Sequence, residues 1–191
     1  VGIIDHHISQ PCDVDYLQVN CHPYGHVKLS AAGVAYLVAK EIDSGNSDLA
    51  PLAVIGNIGD MMAREDCGLT GIAREIAYEG SAHGSVEVRK YDLNCYGIST
   101  RPLHISLSYN DDPIIPGISN NARGALRFLQ KLGIPLQDNL QRWRVWEEFS
   151  CEEQRIISSA LAQQLLAHTC SITRLFCESY LFPAERARTP L

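Results

Sequence analysis

The chain opens with Val1-Gly2-Ile3-Ile4-Asp5-His6-His7, a short apolar run that ends in an acid and two histidines. A β-branched run of this length is typical of a buried strand. Ligands of open α/β sheets bind at the carboxyl ends of the strands, where these three polar residues would lie. Imidazole and carboxylate groups together favour Mn, Zn or Fe over cations that prefer all-oxygen sites. The stretch therefore predicts a metal-assisted reaction; the alternative is a surface turn with two adjacent histidines.

A second apolar segment, Leu49–Asp60, ends in a lone acid. An acid is costly to bury there unless it is paired or bound to a cation. The apolar spacing predicts a helix, with a strand over 52–55 as the alternative, because short apolar runs do not discriminate by period. Asp60 lies at the carboxyl end in both cases. Gly56 and Gly59 each weaken a helix by about 1 kcal/mol relative to Ala, a cost expected if backbone approaches a metal site.

These motifs resemble those of the DHH phosphoesterase superfamily. The resemblance is carried by Ile4-Asp5-His6-His7, by the Gly33–Leu37 helix and by Gly56–Asp60. Further segments resemble the archaeal RecJ-like single-strand exonuclease branch: Arg101–His104, Asp112–Gly117, Phe128–Ile134, and the closing 182–185 and 189–191, which resemble the passage into a second domain. Together they cover most of the chain.

The resemblance implies a role for each residue of the first motifs. In this superfamily, two Mn²⁺ or Mg²⁺ ions activate a water and neutralise phosphoryl charge during in-line attack. His6 and Asp60 would be metal ligands. His7 would face the substrate phosphate as a catalytic residue. Asp5 would be a second catalytic residue, which orients the rings of His6 and His7.

Part of the family's pattern is missing from this sequence. The first two acidic motifs of the family precede Asp-His-His, where this chain has only four residues. We therefore expect a fragment that is inactive alone, although the full-length protein would be an enzyme. Asp13 and Asp15 imitate an Asp-x-Asp pair, but they follow the motif, and we interpret them as a coincidence.

Composition restricts the class of protein. The 191 residues are 46% hydrophobic, enough to bury a core, and no apolar run reaches the length of a membrane span. We expect no membrane partner, and we find neither a signal peptide nor a transit peptide. Seven cysteines without a C-x-x-C pair argue against a disulfide framework and favour a reducing cytoplasm. Cys21, His22 and His26 offer only three close ligands, so we interpret them as free loop residues rather than as a zinc site.

The net charge of −6 is unusual for a nucleic-acid-binding protein, but such contacts can be local. Arg123, Arg127 and Lys131 are spaced so that they share a helix face, which could meet phosphates or simply be solvated. Arg101 is a further candidate for substrate binding. Three aromatic residues in 143–149 are interpreted as core anchors rather than as base-stacking platforms.

The predicted fold class is α/β. Residues 1–92 would form the C-terminal half of a DHH-type parallel-sheet domain, 93–169 a mainly helical connecting region, and 170–191 the start of the segment leading to a second, DHHA1-like domain. The predicted strands are 1–4, 16–19, 86–88 and 174–182. The predicted helices are 31–39, buried all round and capped by Ser30; 49–60; 69–77, ended by Gly80; and three that begin after Thr100, Ser119 and the Ser150–Glu153 capping box.

Three functions are compatible with these observations. The first is a RecJ-like exonuclease whose partners are single-stranded DNA or RNA, together with replication-complex proteins. The second is a DHH phosphoesterase acting on oligoribonucleotides, cyclic dinucleotides or pyrophosphate. The third is a non-catalytic replication partner. The helical region after Arg101 favours the first function, and the intact Asp5-His6-His7 motif and Asp60 argue against the third.

Overall fold

The computed structural model describes residues 2–8 and 16–183, and the backbone of 187–188. Among these residues, two compact units are present: unit 1 runs up to Lys90 and resumes at Glu178, and unit 2 is Tyr91–Cys177. The expected α/β class is confirmed, with a small parallel sheet and several helices. The division into 1–92, 93–169 and 170–191 stays a prediction.

The parallel sheet of unit 1 consists of β1, Gly2–Asp5, and β2, Leu17–Asn20. Both strands were predicted. Asp5 is opposite Asn20 in the register, so two polar residues end the strands side by side. Ile3 and Ile4 are 39% and 41% exposed, so the prediction of a buried strand is wrong for this sheet. A two-stranded sheet consists of edge strands only, which leaves their side chains partly uncovered.

Three helices cover the core of unit 1: α1, Ala31–Ile42; α2, Ala50–Gly59; and α3, Gly71–Ala82. Ser30 caps α1 as predicted, since its Oγ accepts a hydrogen bond from the N–H of Gly33. Burial of α1 is one-sided, however. Gly33, Val34 and Tyr36 are buried and Ala35 is exposed, so the expected all-round burial is wrong.

The segment before Asp60 is a helix and not a strand. A Cβ at Gly56 would overlap with the Cβ of Ala32, so this glycine is required where α1 and α2 pack closely. Gly59 has nothing within 4 Å of a Cβ. Gly56 is therefore explained by the close packing of α1 and α2, and not, as expected, by backbone that approaches a metal. Gly80 does not end α3; it lies inside it, where its missing side chain makes room for Val86.

A second sheet has the order β3, β4, β5, with bounds Glu87–Leu93, Phe176–Phe182 and Ala187–Arg188. The strands β4 and β5 are antiparallel. The boundary between the units falls within β3 and within β4. The predicted strands 86–88 and 174–182 are thus present, the first of them longer than expected.

Unit 2 contains α4, Leu103–Ser108; α5, Ala122–Gln130; and α6, Cys151–Ala167. The Ser150–Glu153 capping box is confirmed at the start of α6. The other two predicted caps are wrong. Pro102 and Asn121 occupy the N-cap positions instead of Thr100 and Ser119. The hydroxyl of Ser119 accepts a hydrogen bond from the N–H of Ile115 and so stabilises the preceding turn.

The core of unit 2 contains Trp146 and Phe149, as expected, at 3% and 4% exposure. Trp143 is 40% exposed and lies against the ring of His104, with centroids 4.6 Å apart, so it is not a core residue. The cysteines at described positions are free thiols. Within the described ranges, no helix is both long enough and apolar enough to cross a bilayer.

Candidate metal centre

Two elements of unit 1 bring His6 and Asp60 together. His6 follows the last residue of β1, and Asp60 is the C-cap of α2. The Nε2 atom of His6 lies 3.0 Å from Oδ2 of Asp60, within the roughly 6 Å that a shared cation allows. The side chain of His6 is 10% exposed and that of Asp60 is 44% exposed. The imidazole of His6 is thus mostly buried, whereas the carboxylate of Asp60 is open to solvent.

The separation of these two atoms suits a cation as well as a direct hydrogen bond. Nitrogen and oxygen ligands bind small divalent cations at about 2.0–2.2 Å. Two ligands at a right angle around such an ion are therefore about 3 Å apart. The imidazole and the carboxylate are also the donor types that Mn, Fe and Zn accept together. The donor chemistry fits one divalent cation at His6 and Asp60.

Asp5 supports both histidines. Its Oδ1 accepts a hydrogen bond from the N–H of His6 at 2.8 Å and lies 2.8 Å from Nδ1 of His7. These contacts, that with the His7 ring first, lower the pKa of Asp5 below its usual value, so the carboxylate stays charged. A charged carboxylate at Nδ1 favours the tautomer with the proton on that nitrogen and leaves Nε2 as an acceptor. The geometry suits the orienting role inferred for Asp5.

His7 is the accessible member of the group. Its side chain is 75% exposed, and its ring centroid is 4.2 Å from that of His6. Ligand atoms of Asp5, His6 and His7 all lie within 4.8 Å of one another. Asp5 and His7 could therefore also bind a cation directly, in place of the orienting and substrate-facing roles that the resemblance implies for them.

Two asparagines that sequence reasoning missed hold the site in place. Asn20 is buried at the end of β2 and donates from Nδ2 to the backbone oxygen of His7 at 2.8 Å. Asn57 is fully buried in α2, and its Oδ1 accepts from the N–H of Ser30 at 2.8 Å. The second bond ties α2, and hence Asp60, to the start of α1. The available signals were the position of Asn20 after the predicted strand 16–19 and the position of Asn57 inside the Gly56–Asp60 motif.

The predicted substrate-binding arginines are in unit 2. The guanidinium carbon of Arg101 lies 5.0 Å and 5.1 Å from the ring centroids of Tyr96 and Tyr109. Arg123 and Arg127 lie on the exposed face of α5, and neither forms an ion pair with a described residue. A contact between these arginines and a substrate stays a prediction.

Other candidate ligands do not add to the centre. Cys21 is buried, with its thiol 3.8 Å from the backbone oxygen of Leu29. Across the described part of the chain, Cys21, His22 and His26 do not come together as a three-ligand group. Asp13 and Asp15 lie outside the described residues.

Comparisons with known proteins support part of the resemblance. Residues 95–175 match the family model described as the DHH-CID domain. An uncharacterized protein of Methanocaldococcus jannaschii is 32% identical over 139 residues, which are 69% of this chain and 30% of that relative. The chain thus spans less than a third of the relative's length. The domain match supports a relation to the DHH superfamily, whereas the relative carries no information on the RecJ-like branch.

Proposed function

We propose that these 191 residues are part of a metal-dependent phosphodiesterase of the DHH superfamily, and more narrowly of a RecJ-like exonuclease acting on single-stranded DNA or RNA. The observation that carries the proposal is the meeting of His6 Nε2 and Asp60 Oδ2 at 3.0 Å, beside an Asp5 carboxylate held against His7. Strand-end imidazole and helix-end carboxylate converge on one solvent-facing point. The DHH-CID match over 95–175 adds support.

The residues of the candidate metal centre have different roles in the proposed reaction. Divalent cations bound here would supply an activated water and neutralise charge on the phosphoryl oxygens. His6 and Asp60 bind and position the metal, preferably Mn²⁺ over Mg²⁺ because one ligand is a nitrogen. Asp5 holds Nδ1 of the exposed His7 ring, so that Nε2 of His7, beside a substrate phosphate, can accept the proton that the attacking water gives up. Asp5 and Asp60 supply two carboxylates, so a second ion requires further acids.

Three further features lead to the proposed substrate, partners and location. The exposed Arg123 and Arg127, unpaired among the described residues, suit a phosphate backbone. The resemblance to a replication-associated nuclease branch adds replication-complex proteins as proposed partners. The free thiols support a reducing compartment, and we propose the cytoplasm.

The first test is Mn²⁺ binding by calorimetry with the 191-residue chain. We expect one weak site that is lost in His6→Ala and in Asp60→Asn. His168→Ala is the matched control, because His168 is exposed and its ring contacts the backbone oxygen of Gln164 in unit 2, away from the site. Unchanged Mn²⁺ binding in His6→Ala would remove the metal assignment.

The second test is hydrolysis. In the longest natural polypeptide that contains these residues, Mn²⁺-dependent release of nucleotides from labelled single-stranded DNA and RNA should depend on His6 and Asp60. Cyclic dinucleotides and pyrophosphate in the same assay separate the exonuclease from a small-substrate phosphoesterase. Cleavage that survives both substitutions would contradict the proposal.

A further inference from the structure

Arg101 of unit 2 lies against two tyrosine rings. Its guanidinium carbon is 5.0 Å from the ring centroid of Tyr96 and 5.1 Å from that of Tyr109. Both tyrosines are largely in solvent, at 52% and 61% exposure. A cation over aromatic rings is attracted by their negative faces, and two rings restrict its motion more than one. The half-buried arginine and the two exposed tyrosines form a contiguous group of side chains, which we call the tyrosine–arginine cluster.

The local backbone is shaped to hold this arginine. Gly97 has a φ of +68°, and a Cβ there would come within 2.9 Å of Cδ and 3.1 Å of Nε of Arg101. The arginine therefore packs its stem against a position whose positive φ and close contact favour glycine. The turn is closed by the N–H of Arg101, which donates to the backbone oxygen of Gly97 at 2.9 Å. The oxygen of Gly97 also accepts from the hydroxyl of the buried Ser106.

The hydrogen-bonding capacity of Arg101 is unused. Within residues 2–8 and 16–183, its guanidinium forms neither an ion pair nor a hydrogen bond. Two other arginines of unit 2 are paired, Arg144 with Glu153 and Arg142 with Asp138. The carboxylate of Glu147 accepts a hydrogen bond from the hydroxyl of Ser99, at 2.9 Å. A guanidinium carries five N–H donors in a planar fork that fits phosphate, and contact with ring faces leaves those donors free.

We propose that the tyrosine–arginine cluster binds single-stranded nucleic acid, with Arg101 on a backbone phosphate and the rings of Tyr96 and Tyr109 stacked on the adjoining bases. The choice of ligand rests on the proposed function, whereas the cluster itself does not. A free phosphate would bind the arginine but would leave the exposed parts of the two tyrosine rings uncovered. An unpaired strand offers both an anion and flat π-faces at neighbouring positions, and base–aromatic stacking accepts any base. The cluster would thus add affinity without sequence preference.

The test measures binding without hydrolysis. Anisotropy of a fluorescein-labelled oligothymidylate is recorded with the 191-residue chain in EDTA, and compared with an abasic strand carrying the same number of phosphates. Tyr96→Leu and Tyr109→Leu should each weaken oligothymidylate binding at least about fivefold and the abasic strand much less. Arg101→Ala should weaken both strands and lower the salt slope by about one unit.

Controls separate binding from folding. Tyr91→Leu and Arg155→Ala change a more exposed tyrosine, at 86%, and a surface arginine paired with Glu152, and they should leave both affinities unchanged. Tyr96→Phe and Tyr109→Phe keep the stacking face and should restore binding. Equal affinity for normal and abasic strands, equal losses in the controls, or no binding by the wild-type chain would each overturn the site.

Different results would contradict the proposed nuclease function and the proposed strand-binding site. His6→Ala should leave binding in EDTA unchanged, because no metal is present to be lost. Loss of thermal stability in Arg101→Ala without loss of strand binding would make the cluster a purely structural clamp and overturn the inference. Absence of Mn²⁺-dependent cleavage by the longest natural polypeptide, with strand binding intact and sensitive to Tyr96 and Tyr109, would reject the nuclease and keep the binding site.

Discussion

The side-chain amide of Asn20 donates a hydrogen bond to the backbone oxygen of His7 at 2.8 Å. Its carboxamide oxygen accepts from the N–H of His22 at the same distance. Asn20 ends β2 directly opposite Asp5, the last residue of β1. The backbone of His7 is therefore held by the neighbouring strand, although its ring is 75% exposed. This bond also maintains the contact between His7 and Asp5.

We expect Asn20→Ala to weaken Mn²⁺ binding about tenfold to a hundredfold, the usual effect of removing a group that orients metal ligands. Asn46→Ala is the control. Its amide makes an equivalent 2.8 Å bond to the oxygen of Ala39, away from the site. Calorimetry should show an unchanged dissociation constant for the control. Equal losses in both variants would mean that Asn20 acts only through the stability of unit 1.

Substitutions of Gly56 and Gly59 in α2 should have different effects on the free energy of unfolding. Gly56→Ala places a Cβ against that of Ala32 and should cost about 1–3 kcal/mol of unfolding free energy, as overpacking does. Gly59→Ala meets no atom within 4 Å and should be neutral or stabilising by up to about 1 kcal/mol. Hydrogen exchange of the α1 and α2 amides measures both. Destabilisation by Gly59→Ala, or a loss of Mn²⁺ binding with it, would support the original idea that backbone must approach the metal.

Local patterns accounted for much of the fold. The capping box at Ser150 and Glu153 predicted the start of α6, because both hydrogen bonds form within one turn. The apolar period of 49–60 predicted α2 and placed Asp60 at its end. The false caps at Thr100 and Ser119 show the limit of such signals. Serine and threonine precede many turns, and only the path of the chain decides which residue begins a helix.

The candidate site was predictable at its acids and histidines but not at its supports. The motif resemblance identified His6 and Asp60, and a strand end and a helix end brought them together as expected. Asn20 belongs to no motif, and Asn57 lies inside the Gly56–Asp60 motif without a role that the motif reveals. The bonds of both side chains reach residues that are distant along the chain. The packing role of Gly56 likewise depends on a residue of another helix. Such long-range partners leave no local pattern in a single sequence.

A buried tyrosine supports the turn before α3. The hydroxyl of Tyr180, in β4, accepts from the N–H of Leu69 at 2.8 Å and donates to Oε2 of Glu178 at 2.7 Å. Burial raises the pKa of Tyr180, so the hydroxyl stays protonated. Tyr180→Phe leaves a buried N–H without its acceptor and should destabilise unit 1 by about 1–3 kcal/mol. Tyr78→Phe, at a 44% exposed position, should have no effect. Faster exchange of the Leu69 amide in Tyr180→Phe alone is the measurement; unchanged exchange would contradict the assignment.

The exposed arginines of α5 give a salt-dependence prediction. If Arg123 and Arg127 contact phosphates, each substitution by alanine should weaken strand binding about equally for all sequences and flatten the salt slope by roughly one unit. Arg142→Ala is the control, because Arg142 is 71% exposed and already paired with Asp138. Anisotropy titrations at several salt concentrations measure the slopes. Unchanged slopes for both variants would assign this face to solvent.

The carboxylate of Glu153, at the start of α6, makes the stability of unit 2 depend on pH. Arg144 donates to both carboxylate oxygens of Glu153, at 3.1 Å and 2.8 Å, and the N–H of Ser150 donates to Oε2 at 2.7 Å. The bonds from Arg144 first, and that from Ser150 with them, lower the pKa of Glu153 from 4.5 to about 2. The folded pKa is the lower one, so this stabilisation is complete above about pH 4.5 and is lost as the pH falls towards 2.

Glu153→Gln should therefore lower the unfolding free energy at about pH 6 by roughly 1–2 kcal/mol, a figure reduced from the full pKa difference because the carboxylate is partly screened by solvent. The difference from wild type should shrink at about pH 3. Denaturant unfolding followed by tryptophan fluorescence reports on unit 2, since both tryptophans, Trp143 and Trp146, lie there. Glu152→Gln is the neighbouring control, with its carboxylate 62% exposed and paired with Arg155. A Glu153→Gln chain that loses stability between the two pH values as steeply as wild type would show that another carboxylate carries the acid sensitivity.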